Sequence, residues 1–220
     1  MQTGDEVTME MMTACRFERT IQSIFEMEWD TLNRDELVAV AWAYYHFSIQ
    51  FRENLEAACA MFPDDPKLEQ LRREECDTDN LSPWPRVAQP GEKMNHDEFM
   101  RRLLTLEPIG GDLRSRLEAV GANYLAETRV IEPVVKALSI ASYEDGGLEK
   151  VFTAMLRAPD WTGESLQAFR HFLIEHIKFD SDPEAGHGSL SRHLVPDDRI
   201  SPVWEAFEGL LVGAVPRLAA

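Results

Sequence analysis

Cysteine is scarce in this chain of 220 residues, which has only Cys15, Cys59 and Cys76. Three is an odd number, and no two of them lie at the short spacing typical of a disulfide framework or a four-cysteine zinc site. Free thiols persist in a reducing compartment. The cysteine content therefore excludes a disulfide-stapled fold and predicts a cytoplasmic protein.

Basic residues are also few, because 22 Lys and Arg face 39 Asp and Glu and leave a formal net charge of -17. A charge of this sign and size repels phosphate backbones and anionic lipid headgroups. The composition therefore predicts no nucleic-acid partner and no membrane partner.

Long apolar runs are missing as well. A membrane-spanning helix needs roughly 20 apolar residues, whereas the apolar tail over residues 210–220 is shorter and contains Pro216 and Arg217. The first six residues, MQTGDE, are acidic, unlike the basic start of a signal peptide. We expect neither a membrane anchor nor export.

Strict alternation of apolar and polar residues is almost absent, whereas apolar residues recur at spacings of three and four along most of the chain. This pattern is typical of amphipathic helices. The length suits one domain over residues 1–220, without an internal repeat or an interdomain linker. We predict an all-α bundle of about seven to nine helices.

Two helix starts are marked by capping residues. Asn33 with Glu36 three residues later predicts a capping box, and the helix behind it extends to about Met61. Asp65 followed by Pro66 predicts the start of the next helix, because proline suits the first helical position.

Residues 77–94 form the longest segment without helical periodicity and contain three prolines. Loops of this length usually cover a site or a partner surface, so we predict a flap. Directly after it, Asn95 and Glu98 repeat the spacing of a capping box and predict the start of another helix.

Polar residues interrupt one apolar helix stripe. His176 follows Phe169 by seven residues and Asp180 follows Leu173 by seven, so both continue a face that should be buried. Residues four apart share a helix face and can reach one metal ion. A pair that only shares a hydrogen bond at a helix end is the alternative. His187 lies between two glycines, seven residues after Asp180. This setting favours a functional site over a merely exposed histidine.

Two further polar residues lie at the edge of apolar helix faces. Glu144 continues the line of Ile140 and Ala141 just before Gly146 and Gly147. His96 begins a helix whose following apolar residues should face a core. Taken alone, each residue is more typical of a capping or solvated position than of a functional site.

Together these segments resemble the haem-oxygenase-like diiron oxidases and oxygenases, relatives by fold of the thiaminase-like and PQQ-synthase-like proteins. That family presents a Glu and a His early in the bundle, a Glu from a central helix, and a late His-x3-Asp followed by another His. The corresponding segments here are REECD (residues 73–77), NHDEF (95–99), YEDGG (143–147) and HIKFD (176–180). The metal ligands that the resemblance implies are Glu75, His96, Glu144, His176, Asp180 and His187.

Two of these assignments have rivals. Glu74, or Glu92 four residues before His96, competes with Glu75 for the first ligand position. Asp180 and His187 lie further apart than is usual in the family, so Asp182 or Glu184 competes with Asp180.

The resemblance implies a non-haem oxidoreductase that binds two Fe2+ ions per chain, uses dioxygen as co-substrate and oxidises a small amino-acid-derived or fatty-acid-like molecule in specialised metabolism. A donor set of histidines and carboxylates suits iron or manganese and needs no thiolate. The resemblance also implies a homodimer, to which an exposed apolar segment around Leu210, Leu211 and Val212 can contribute.

Two alternatives stay open. The first is a metal-free binding or partner protein of the thiaminase-like fold, in which the buried polar groups hydrogen-bond one another. The second is a haem-degrading enzyme, for which His46 is the only candidate proximal ligand. His46 also belongs to an aromatic-rich stretch, with Tyr44, Tyr45 and Phe51, which either packs in the core or lines a substrate cavity.

Overall fold

The computed structural model describes residues 15–77, 83–180 and 186–219, with the side chain of Asp180 excepted. Within these ranges the chain forms helices and no strand, which confirms the all-α prediction. One isolated antiparallel bridge joins Asp77 to Lys93.

The described part of the chain contains nine helices of eight residues or more and one single-turn helix, in line with the number predicted. In chain order they are α1 (Arg16–Glu26), α2 (Arg34–Met61), α3 (Pro66–Glu74), α4 (His96–Leu104), α5 (Gly111–Arg129), α6 (Pro133–Ser142), α7 (Leu148–Met155), α8 (Glu164–Asp180), α9 (Gly188–Ser191) and α10 (Ser201–Ala214). A kinked turn (Tyr143–Gly147), in which Asp145 and Gly146 have non-helical backbone angles, joins α6 to α7, and 3-10 turns occupy Trp29–Thr31, Asp198–Ile200 and Pro216–Ala219.

Helix α2 is the central element, and its 28 residues give a length of about 42 Å. The predicted capping box is present: the Glu36 amide donates to Asn33 Oδ1 over 3.0 Å, and the Asn33 amide donates to Glu36 Oε2 over 2.8 Å. Helices α4, α5, α6, α8 and α10 all pack on α2. The wide apolar surface of α2 therefore supplies most of the framework on which the other helices are placed.

Helix α5 runs parallel to α2 and in register with it. Tyr124 donates a hydrogen bond to Gln50 over 2.9 Å, and Arg129 forms an ion pair with Glu53 at 2.6 Å. The contacting residues advance together along both helices. The contacting residues of α5 lie about 74 to 76 positions after their partners on α2, which is the constant register that parallel helices of equal rise produce.

The other helix starts follow the sequence with one exception. Asp65 caps α3 by accepting from the amides of Lys67 and Leu68, as predicted. Helix α4 begins directly after Asn95, but the predicted capping box is wrong. Asn95 Oδ1 accepts the Cys76 thiol over 2.7 Å instead.

Glu98, the other residue of the predicted capping box, also has different partners. Both Arg101 and Arg102 donate to the Glu98 carboxylate, over 2.6 and 2.7 Å. Charged guanidinium donors outcompete a backbone amide for a carboxylate, so Glu98 does not turn back to the helix start.

The described part of the predicted flap packs on α4 and α8. The Trp84 ring lies 5.0 Å from the His171 ring, and Arg102 donates to the Val87 carbonyl over 3.1 Å. The ends of the loop are joined, because the Met94 amide donates to the Cys76 carbonyl over 3.0 Å. This stem places the residues just before and just after the loop side by side.

The C-terminal helix differs from the sequence interpretation. Leu210 and Leu211 are buried in the core rather than exposed, because α10 packs on α1, α2 and α5. The prediction of an exposed apolar segment there is wrong, and only Val212 is partly exposed. Among the described helices, none is both long enough and apolar enough to cross a membrane.

A glycine sets the separation of α2 and α5. The His46 ring of α2 lies flat on Gly121 of α5, and a Cβ atom at Gly121 would stand 2.2 Å from three ring atoms. That distance is well inside van der Waals contact. We expect Gly121→Ala to lower the free energy of unfolding by about 1 to 3 kcal/mol, the usual cost of overpacking a core.

Chemical denaturation of both Gly121→Ala and Gly209→Ala tests this expectation. Gly209 is also helical, and a Cβ atom added there would meet no atom within 4 Å, so Gly209→Ala should leave stability unchanged or raise it by up to about 1 kcal/mol. Equal effects of the two substitutions would contradict close packing of His46 on Gly121.

Candidate metal centre

Five of the six residues that the resemblance implies as ligands lie in one buried group, although the chain separates them widely. Glu75 follows the last residue of α3, His96 opens α4, Glu144 lies in the kinked turn between α6 and α7, and His176 lies in α8. His187 immediately precedes α9. The exposed fractions are 7% for Glu75, 9% for His96, 6% for Glu144 and for His176, and 2% for His187.

The sixth residue, Asp180, is the last residue of α8, and its side chain lies outside the described residues. Asp182 and Glu184 also lie outside them. The backbone of α8 places position 180 one turn beyond His176, on the same helix face.

The Glu75 carboxylate stands between two histidines. Its Oε2 atom lies 2.9 Å from Nδ1 of His96, and its Oε1 atom lies 2.9 Å from Nδ1 of His187. The loop stem explains how Glu75 meets His96, because residues 76 and 94 are hydrogen-bonded next to them. One carboxylate therefore links two imidazoles that come from different parts of the bundle.

The rival residues for the first position lie elsewhere. Glu92 forms an ion pair with Arg102 at 2.7 Å and accepts from the Gln89 amide. Glu74 is partly exposed, and its Oε2 atom is 3.7 Å from Nε2 of His187. Glu75 is therefore the carboxylate at the centre of the group, with Glu74 at its edge.

The kinked turn between α6 and α7 directs Glu144 into the same group. Gly146 has a φ of +94°, which glycine adopts without strain. A Cβ atom at Gly147 would stand 2.1 Å from the Ser142 carbonyl oxygen, so only glycine fits there. Glu144 Oε2 lies 3.3 Å from Nδ1 of His187.

His176 is held by its own helix and by aromatic rings. Its Nδ1 atom donates to the Phe172 carbonyl over 3.0 Å, which leaves Nε2 as the unprotonated nitrogen. The His176 ring lies 4.8 Å from the His96 ring and 4.1 Å from the Phe172 ring. A backbone acceptor of this kind commonly orients a metal-binding histidine.

Burial and neighbouring charges separate the pKa values in the group. Burial raises the pKa of Glu75, but the charges of His96 and His187 outweigh burial and hold it well below its ordinary value. Burial alone would lower the pKa of His187, yet Glu75 and Glu144 hold it well above its ordinary value. In the metal-free protein, Glu75 and His187 therefore form a charged pair.

For Glu144 and His176, the shifts in pKa favour the neutral form of the side chain. Burial raises the pKa of Glu144, with the nearby Glu75 charge adding to the effect. Burial lowers the pKa of His176 to about 3, and the positive charge of His96 contributes. The neutral form of His176 is the form that can bind a metal ion.

A small cavity borders the group. It leaves about 10 Å³ for the centre of a water-sized sphere, enough for about one water. Its apolar wall consists of Tyr44, Phe47, Phe51 and Leu148. Nε2 of His96 is buried and has no hydrogen-bond partner within the described ranges. A buried nitrogen without a partner is costly, and a bound cation would use it.

The sequence predicted only some of the residues that line this cavity. Tyr44 and Phe51 line the cavity, whereas Tyr45 and His46 lie on another face of α2. Phe47 and the rings of Phe152 and Phe172 around His176 were not singled out. The available signal was helical spacing, because Phe172 precedes His176 by one turn.

The donor set is compatible with a hard or borderline cation. Oxygen or nitrogen atoms of Glu75, Glu144 and His187 lie within 4.8 Å of one another. None of the described cysteines belongs to the group, so the donors are nitrogen and carboxylate oxygen, which suit iron or manganese.

Comparisons with known proteins identify no family. No protein-family model matches the chain, and neither the curated proteins nor the solved structures give a significant match. The likeness to haem-oxygenase-like enzymes therefore stays a prediction from the sequence.

Neutralising Glu75 tests the buried charge pair. We expect Glu75→Gln to lower the free energy of unfolding by about 3 to 5 kcal/mol in the presence of a chelator, because the His187 charge loses its buried partner. Urea denaturation at neutral pH measures the change. Glu92→Gln is the control, since its carboxylate pairs with Arg102 at the surface, and it should change stability little. A Glu75→Gln variant as stable as the control would contradict a charged Glu75–His187 pair.

Proposed function

We propose that this chain is a non-haem diiron oxidoreductase that uses dioxygen to oxidise a small organic molecule. The observation that carries the proposal is the position of the Glu75 carboxylate, with one oxygen on His96 and the other on His187. No other carboxylate in the described part of the chain contacts two imidazoles with its two oxygens.

The two Glu75 oxygens divide the group into halves. Oε1 faces His187 with Glu144 beside it, and Oε2 faces His96 with the His176 ring behind it. An ion in the first half would be held by His187 and Glu144, and an ion in the second half by His96 and His176, with Glu75 facing both halves. Asp180 would join the second half, because it follows His176 by one helical turn.

Ferrous ions bound here would supply the electrons that reduce dioxygen. The protein contributes the surroundings: Tyr44, Phe47 and Phe51 exclude water from one side and present an apolar wall to the reacting part of a substrate. In the metal-free protein the raised pKa of Glu144 lets its Oε2 atom hold a proton beside Nδ1 of His187, and a bound ion would displace that proton.

We extend the proposal to the substrate class and assembly that the resemblance implies. The substrate would be a small amino-acid-derived or fatty-acid-like molecule in specialised metabolism, and the enzyme would be a homodimer. An apolar cavity wall suits a substrate whose reacting part is a hydrocarbon group.

One observation favours the alternative, a metal-free binding or partner protein. Glu75 is already paired with two histidines, one at each carboxylate oxygen, without an ion. The same pairings are also what metal ligands form when their ion is absent. Metal content separates the two functions.

The test is anaerobic loading of the full chain with ferrous iron, removal of loosely bound metal, and elemental analysis. We expect about two irons per chain in the wild type and at most about one in His176→Ala, because one half of the site loses a nitrogen donor. Admitting oxygen should produce an absorption band in the wild type that His176→Ala lacks.

His171→Ala is the matched control. His171 lies on the same helix, α8, but its ring contacts Trp84 rather than the buried group, so the iron content should equal that of the wild type. A wild type without specific iron or manganese would overturn the proposal and favour the metal-free protein. Manganese in place of iron would retain the site but overturn the choice of metal.

A further inference from the structure

A second candidate binding site lies on the opposite side of α2 from the buried metal ligands. It is a groove between α2, α4 and α5 with a volume of about 550 Å³, within the usual range for small-molecule sites. The residues used below are Trp42, Tyr45, His46, Leu104, Ile109 and Arg114. We call this the α2–α5 groove.

The parallel register of α2 and α5 gives the groove two polar ends. At one end the Arg114 guanidinium lies 5.7 Å from the centre of the Trp42 ring. At the other end the His46 ring lies on Gly121. Arg114 and Gly121 are seven residues apart on one helix, which corresponds to about 10 Å along the groove.

His46 is held as a hydrogen-bond acceptor. Only 7% of the residue is exposed, and its Nδ1 atom donates to the Trp42 carbonyl over 3.0 Å. Burial lowers its pKa, so the ring is neutral and Nε2 is unprotonated. Nε2 makes no hydrogen bond to any residue in the described ranges. A ligand with an N–H or O–H group would satisfy it.

The Arg114 side chain presents two guanidinium nitrogens that can bind an anion. Its Nε atom donates to Glu118 over 2.7 Å, and in the described part of the chain its two terminal nitrogens have no hydrogen-bond acceptor. These nitrogens form the fork that matches a carboxylate. Glu118 and the overall charge of -17 make a doubly charged phosphate a poorer ligand than a single carboxylate.

Aromatic and aliphatic side chains form two facing walls between these ends. The Tyr45 ring lies 5.1 Å from the His46 ring, and Trp42 continues the same helix face. Leu104 and Ile109 form the opposite wall. Rings of this kind favour stacking with an aromatic group.

We propose that the α2–α5 groove binds a small aromatic carboxylic acid that carries a hydrogen-bond donor at the end opposite its carboxylate. The carboxylate binds Arg114, the ring packs against Trp42 and Tyr45, and the donor reaches Nε2 of His46. This site does not depend on the metal centre, because α2 separates the two.

Isothermal titration calorimetry of the full chain with para-hydroxyphenylacetate and with indoleacetate tests the proposal. Both probes have a carboxylate and a distal O–H or N–H donor. We expect saturable binding of at least one probe, weakened about tenfold or more by Arg114→Gln and by His46→Phe, since each removes one polar contact. His46→Phe keeps a flat ring on Gly121, and Arg114→Gln alters only an exposed side chain.

The controls separate this site from non-specific binding. Arg129→Gln removes an exposed arginine of α5 at the far end of the helix and should leave affinity unchanged. Phenylacetate lacks the donor, and tyrosol lacks the carboxylate, so both should bind about tenfold more weakly than para-hydroxyphenylacetate. The proposal fails if neither probe binds at about 10 mM, or if binding survives in both Arg114→Gln and His46→Phe.

Discussion

The pairing of one buried carboxylate with two histidines is the constraint on which the rest of the bundle depends. A charged group as buried as Glu75 is tolerated only with close compensation. His96 and His187 provide that compensation from opposite sides. The end of α3, the start of α4 and the start of α9 must therefore meet at one point, and the loop stem between residues 76 and 94 serves the same requirement.

Helix α2 gives this arrangement its surroundings and separates it from the outside. Its inner face places Tyr44, Phe47 and Phe51 against the polar group, where a low dielectric strengthens each charge interaction. Its outer face carries Trp42 and His46 towards the α2–α5 groove. One helix thus presents two different chemical surfaces because residues three or four apart share a face and adjacent residues do not.

Local sequence signals predicted much of the fold. Asn33, Asp65 and the helical spacing of apolar residues marked helices that the structure contains. Contacts between distant segments determine the rest. Asn95 has the right spacing for a helix cap, but its side chain accepts a hydrogen bond from Cys76. Leu211 belongs to an apolar segment that neighbouring helices bury. A single sequence carries no record of such partners.

The same distinction applies to the site. Glu144 and His176 stood out because each interrupts an apolar stripe, and they do lie together. The choice of Glu75 over Glu92 depended on the loop stem and on Arg102, neither of which spacing reveals. The aromatic wall was missed for a related reason, since a phenylalanine beside a polar group looks the same in sequence as one in an ordinary core. The turn that carries Glu144 has a wider consequence: the non-helical backbone of Asp145 and Gly146 breaks the helix between α6 and α7, so these two residues set the direction in which α7 leaves α6. Every side chain of α7 owes its facing direction to a bend that glycine adopts without strain at position 146, which makes that glycine as strict a requirement as the glutamate beside it.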